Sequence, residues 1–184
     1  MNFIKLKNPK TDLYLDFKNQ ILSAEFDWVY SYTIDKDPFG RSLINTYGDE
    51  YGQCAMYSHP LLDRPDHNRL YPQPVSPHLD KFNFILLEIF NHNKVKLEDF
   101  YVMLRANVNA VNPPIGKVKY CLPHYDHPFP HKNMIIYLTD AGGKTICEEE
   151  FHDPEEDDVL LMEGRHHLEL PKEKRRVVLV ATYV

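Results

Sequence analysis

The sequence predicts a mainly β domain, a sandwich or jelly-roll barrel with flanking helices, and three observations carry that expectation. From Phe100 onward apolar residues recur at every second position, short candidate strands follow one another with turn residues between them, and helical spacing is confined to the first half of the chain. Strands in succession, without helices alternating between them, build layered or barrel β folds rather than parallel α/β sheets.

Taken in order, Leu13, Phe17 and Ile21 recur at helical spacing and predict a short amphipathic helix. Phe26, Trp28, Tyr30 and Tyr32 then alternate as a strand does. Residues 35–78 are rich in Pro, Gly, Tyr and His without a sustained period, and read as a loop of the length that often serves as a binding element or lid. Ser76-Pro77 supplies a helix N-cap with proline at the first helical position. Leu79, Phe82, Leu86, Ile89 and Phe90 form an apolar stripe, so the main helix is expected over 77–91.

In the strand from Phe100, Tyr101, Met103, Arg105, Asn107 and Asn109 share one face, and Val102, Leu104, Ala106, Val108 and Ala110 the other. A polar face on an interior strand needs partners. Further strands are expected at 133–139, 145–150, 158–163 and 176–184, separated by the Asp140 to Gly143 turn, the acidic stretch 153–157 and Glu163-Gly164. The expected organisation is one domain over 1–184, with 1–98 as a helical and loop wrapping around a β core at 99–184.

Composition narrows the setting. A chain of 184 residues, 43% hydrophobic, can bury a full core without disulfide staples. Cys54, Cys121 and Cys147 form no C-x-x-C pair, which fits buried fillers in a reducing compartment. The first ten residues hold no apolar leader, and no run approaches the ~20 apolar residues of a membrane span, so a cytoplasmic protein is expected. A net charge of −6 gives no basis for general nucleic-acid binding, and Lys172, Lys174, Arg175 and Arg176 read as a strand end with its turn.

The candidate chemistry lies in His124-Tyr125-Asp126, answered near the C-terminus by His166-His167, Pro171 and Arg176. In an extended segment His124 and Asp126 point to the same side while Tyr125 points away. A histidine from a distant strand would complete two imidazoles and one carboxylate on one face of a metal, the set that leaves positions open on non-haem Fe(II) for oxygen and a co-substrate. Bland readings stand beside this one. His127 and His131 are near enough in sequence to suggest a zinc or nickel site instead, Arg176 could pair with the acidic 153–158 turn, and Tyr137 could be core packing.

His124-Tyr-Asp126, the strand end Ile136-Tyr137-Leu138-Thr139, Gly142-Gly143, Val159-Leu-Leu-Met162, then His167-Leu-Glu-Leu-Pro171 and Arg176 together resemble the Fe(II)/2-oxoglutarate-dependent dioxygenases. The resemblance is to the branch of prolyl hydroxylases and small phage and bacterial oxygenases, and spans residues 101–184 in motif detail. It implies a double-stranded β-helix holding Fe(II), with 2-oxoglutarate as co-substrate and O₂ as oxidant. His124, Asp126 and His167 would be the metal ligands, with His166 facing away, because Arg176 stands nine residues after His167 as the family interval requires. Arg176 would grip the distal carboxylate of 2-oxoglutarate with its planar fork, helped by the Tyr137 hydroxyl, and Asn107 would stand near the other end of the co-substrate. The family's Asn after Tyr-Leu is Thr139 here.

The function so implied is oxidative decarboxylation of 2-oxoglutarate coupled to hydroxylation of an unidentified substrate, whether peptidyl or prolyl, nucleotide or small metabolite. The competing class is a non-catalytic cupin-type module that binds a metal or a small acid, since a fold alone does not fix a function.

Overall fold

The computed structural model describes residues 3–31, 47–65, 70–96 and 102–184. Among these are thirteen strands and two long helices. An eight-stranded antiparallel sheet is built from β1 (Phe3–Leu6), β11 (Val159–Glu163), β8 (Lys132–Tyr137), β13 (Arg176–Tyr183), β6 (Met103–Val111), β4 (Met56–Asp63) and β2 (Val29–Ser31) in that spatial order, with β5 (Gln73–Pro74) paired to β4. Facing it are a three-stranded sheet of β10 (Glu150–His152), β9 (Thr145–Cys147) and β12 (His166–Leu168), and a parallel pair, β3 (Tyr51–Gly52) with β7 (Tyr120–Cys121). The architecture is the predicted jelly roll.

Alternation along the central strands sorts the side chains into two compartments. Ala106, Val108 and Ala110 of β6, Met134 and Ile136 of β8, and Val177, Leu179 and Ala181 of β13 point outward and form one cluster with the two helices. Helix α1 (Asp12–Leu22) is capped by Thr11, whose side chain accepts from the Tyr14 amide, and buries Tyr14, Phe17 and Ile21. Helix α2 (Leu79–Asn93) buries Phe82, Ile85, Leu86, Ile89 and Phe90. It starts two residues after the expected position because Ser76 caps a turn, its hydroxyl accepting from the His78 amide, and not the helix itself. The small residues of β6 let the helices approach the sheet closely. Ile135, Tyr137, Leu160, Met162 and Val178 point the other way and meet Cys147 of the small sheet. The site is built in this inner compartment.

The acidic turn after β10 is neutralised from the N-terminal segment. Lys18, only 8% exposed, reaches Glu156 and lies 2.5 Å from Asp157, which also takes Lys10 at 2.9 Å and the Tyr14 hydroxyl at 2.5 Å. Lys5 pairs with Asp158 at 2.7 Å. No ion pair among the described residues joins Arg176 to this turn, whose Glu156, Asp157 and Asp158 are taken by Lys18, Lys10 and Lys5.

Several expected elements differ. The segment read as a loop contains β4, an eight-residue strand central to the pairing with β6. Pro60 within it removes a ladder donor, and the register shifts between Pro60 and Leu62, so neither composition nor phase announces a strand. The remainder of that segment at 35–46 and 66–69, with Tyr32, Phe100 and Tyr101, lies outside the described residues. The strand expected at 145–150 is a hairpin, broken where Glu148 takes φ +52°. No helix among the described residues is long and apolar enough to cross a membrane. All three cysteines are free and buried, as expected.

Gly143 joins fold to site. Its φ of +80° disfavours any side chain, and a Cβ there would stand 2.4 Å from the Glu169 carbonyl oxygen. Gly143→Ala is expected to cost roughly 1–3 kcal/mol of stability, read as a fall in Tm, because both strain and collision must be relieved by moving backbone.

Candidate active site

His124 follows β7, and its backbone forms an isolated antiparallel bridge with His166 of β12, the two amides and carbonyls exchanging bonds of 2.9 and 3.0 Å. Residues opposed in this way present their side chains to the same face. The imidazoles accordingly lie 4.8 Å apart between centroids. Asp126, two residues on, joins them, with Oδ2 3.4 Å from His166 Nε2. The donor atoms of His124, Asp126 and His166 all fall within 4.8 Å of one another, and this is the one such convergence of three or more metal-binding side chains among the described residues.

The donor set fits a divalent metal in its detail as well as its composition. His124 Nδ1 lies 2.9 Å from the Leu122 carbonyl oxygen and His166 Nδ1 3.2 Å from that of Gly164. Donating Nδ1–H to these carbonyls leaves the Nε2 lone pair of each ring for a metal, with its direction fixed. Burial pushes the His166 imidazolium down to about 4, against the opposing pull of Asp126, so the ring is neutral at pH 7. Burial by itself would raise the Asp126 carboxyl, but the fields of His166, Arg105, His124 and Arg64 outweigh it and hold the group far below the usual carboxylate range. Neutral imidazole and ionised carboxylate are the protonation states a metal needs.

The expectation that His167 supplies the third donor is not what the geometry gathers. β12 is extended, as that expectation assumed, and alternation turns the His167 ring toward Tyr51, at 5.7 Å, and Tyr120, at 6.1 Å, while the residue still borders the cavity. Sequence spacing and this geometry select different members of the His166-His167 pair. The bridge between His124 and His166, a pairing across 42 positions, decides the face, and nothing local to the His-His pair reveals it. The zinc alternative also lacks support: His127 Nε2 is bonded to Thr182 Oγ1 at 2.8 Å and His131 Nδ1 to the Phe129 carbonyl at 2.8 Å, and neither joins the convergent set.

Across the same cavity stands Arg176, 4% exposed. Its Nη1 donates to the Gly143 carbonyl at 2.8 Å and its Nη2 to Thr145 Oγ1 at 2.6 Å, while the guanidinium carbon lies 5.2 Å from the centre of the Tyr137 ring. Tyr137 is itself buried, with its hydroxyl 2.7 Å from the same Thr145 oxygen. No carboxylate among the described residues pairs with Arg176. Arg175 turns away to Asn112, and Thr139 ties strand ends together by donating to the Arg175 carbonyl and accepting from the Val177 amide. The expected polar face of β6 is present, but Asn107 does not reach the cavity. Asn109 does, accepting from Ser58 Oγ at 3.1 Å.

An oxidoreductase of the 2OG-Fe(II) oxygenase family from Burkholderia pseudomallei matches over 96% of this chain and 92% of its own, with a TM-score of 0.54 and 16% identity. The fold is that of the 2-oxoglutarate- and iron-dependent oxygenases. The viral collagen prolyl hydroxylase of Paramecium bursaria Chlorella virus-1, in its 2-oxoglutarate complex, matches over 100% of this chain and 96% of its own at TM-score 0.51 and 16% identity. HygX of Streptomyces hygroscopicus, with nickel and 2-oxoglutarate bound, matches over 99% and 82% at TM-score 0.53 and 13% identity. No family model and no curated protein matches the sequence.

Two outcomes are expected. His166→Ala should weaken divalent-metal binding by more than about 100-fold, beyond the cost of losing an outer partner, whereas His167→Ala should retain it; calorimetric titration with Mn(II) separates them. Burial also lowers His127 and His167 to about 4 from the ordinary 6.5. The unfolded chain binds these protons first, so stability is full above pH 6.5 and is lost as pH falls through about 4. Thermal melts across that window should show Tm falling with acid, less steeply in His127→Gln.

Proposed function

We propose that this protein is an Fe(II)- and 2-oxoglutarate-dependent dioxygenase that hydroxylates a substrate not yet identified. The observation that carries the proposal is Arg176: a buried guanidinium, without a carboxylate partner among the described residues, in the wall of the cavity where two imidazoles and a carboxylate converge. Burying a cation without a counter-charge is costly, and neutral acceptors offset only part of that cost. A dicarboxylic co-substrate would supply the missing charge at one end while its other end reached the metal.

His124, Asp126 and His166 would hold the iron. Together the bound iron and 2-oxoglutarate would supply the oxidising chemistry, activating O₂ as the co-substrate loses carbon dioxide to become succinate and one oxygen atom enters the substrate. The chain's own part is to bind, orient and exclude. Gly143 and Thr145 fix the Arg176 fork so that two parallel N–H groups can meet a carboxylate. The hydroxyls of Tyr137 and Thr145 lie beside that fork and extend the polar cradle. Ile135, Val178 and Val180 line the cavity between Arg176 and the metal-binding end, keeping the space dry around the apolar middle of a five-carbon diacid. Asn109, which lines the cavity, would take the part near the other end of the co-substrate that the resemblance suggested for Asn107.

The decisive experiment is anaerobic: apoprotein is titrated with Fe(II) and then 2-oxoglutarate while the visible metal-to-ligand charge-transfer band of chelated co-substrate is followed. Wild type should develop the band and His124→Ala should not. Arg176→Met should bind Fe(II) normally but need about 10- to 100-fold more 2-oxoglutarate, the loss of a charge-assisted bidentate contact. Fe(II) binding without any band would assign the chain instead to the cupin-type metal-binding class.

A further inference from the structure

The metal-binding carboxylate has a dedicated partner of its own. Arg105, on the inner face of β6, places Nη1 3.0 Å from Asp126 Oδ1, while Asp126 Oδ2 is the oxygen turned toward His166. Both side chains are largely buried, at 16% and 10% exposed. The guanidinium is held in turn. With its amide oriented to suit its neighbours, Asn107 accepts from Arg105 Nη2 at 2.6 Å and Nε at 3.0 Å, and donates to the Ala106 carbonyl at 2.7 Å. Arg64 Nη1 donates to the Asp126 backbone carbonyl at 2.8 Å, fixing the main chain from which the carboxylate projects.

We infer that Arg105 is a positioning residue that makes Asp126 a one-oxygen ligand, and that Asn107 is the residue that aims it. The inference rests on the metal-binding reading of His124, Asp126 and His166. A free carboxylate can offer a metal either oxygen or both. Here the two oxygens are divided: the charge-assisted bond from Arg105 engages Oδ1, and Oδ2 is the oxygen that stands 3.4 Å from His166 Nε2. Keeping Oδ1 off the metal leaves one more position for external ligands, which a site that must admit a chelating co-substrate and O₂ requires. Asn107 has this role because residues two apart on a strand share a face, so the inner face of β6 carries the lever Arg105, its aimer Asn107 and the cavity-wall Asn109 in succession.

The test is titration of the apoprotein with Co(II), first alone and then, for the wild type, with 2-oxoglutarate added, reading the dissociation constant and the d–d absorption, with thermal melts to establish folding. In Arg105→Gln the dissociation constant should rise about 10- to 100-fold, the range for loss of an outer-sphere partner, and the absorption should weaken as the released Oδ1 joins the metal and raises its coordination number. Arg105→Lys, which can reach Oδ1 but cannot also engage Asn107 through a fork, should fall between wild type and Arg105→Gln. If Arg105→Gln does not fold, Asn107→Leu keeps the cation, removes its aim, and should shift the same two readings in the same direction. Wild-type affinity and an unaltered spectrum in the folded variant would overturn the assignment. Wild-type protein that binds Co(II) at this site yet never responds to 2-oxoglutarate would sink the dioxygenase reading and leave Arg105 in place, whereas failure to bind any divalent ion would overturn both.

Discussion

Everything in this molecule depends on strict alternation along three hydrogen-bonded strands, β8, β13 and β6. Their pairing is continuous and antiparallel, so each residue's parity decides whether it meets the helices or the cavity. The outward positions are small or aliphatic and take up α1 and α2. The inward ones alternate from apolar to charged along the same strands, from Val178 and Val180 to Arg176 and Arg105. A slip of one residue would bury the arginines against the helices and open the aliphatic residues to the cavity, which is why the register admits no alternative.

The inner compartment is unusual in its charge. Arg176 and Arg105 both stand in the cavity wall, and Asp126 is the carboxylate there. Folding places these groups where water is scarce, at a cost offset locally by Thr145, Gly143 and Asn107. The large outer core, with Phe17, Phe82 and Ile89 fully covered, supplies the stability that permits this. Binding a metal and a dianion would complete the local balance and stabilise the folded state by mass action.

The sequence made the β class, both helices, the inward polar face of β6 and the His124–Asp126 pair legible, because each follows from a local period or spacing. What it hid was non-local. His166 and His167 are distinguished by the bridge to His124, which sets His166 on the face that His124 and Asp126 share, whereas interval counting selects its neighbour. Asn107 and Asn109 lie on one face, so alternation cannot tell which reaches the cavity; the guanidinium of Arg105 claims the first and leaves the second. β4 was concealed by Pro60 and a register shift. Thr145 looked like any strand residue, and only its place beneath Arg176 marks it.

The lysine clamp on the acidic turn bears on how the chain reaches this structure. Its bonds from Tyr14 and Lys18 to residues 156 and 157 join positions 138 to 143 apart, so the clamp cannot form until almost the whole chain has been gathered. Contacts of such long span slow folding and favour late docking of the N-terminal segment onto a sheet already assembled. Until β1 pairs with β11, the latter is an open edge of mostly apolar residues, a template for another chain. The N-terminal segment thus acts as a built-in guard, and the interval before it docks is when the protein is most exposed to aggregation.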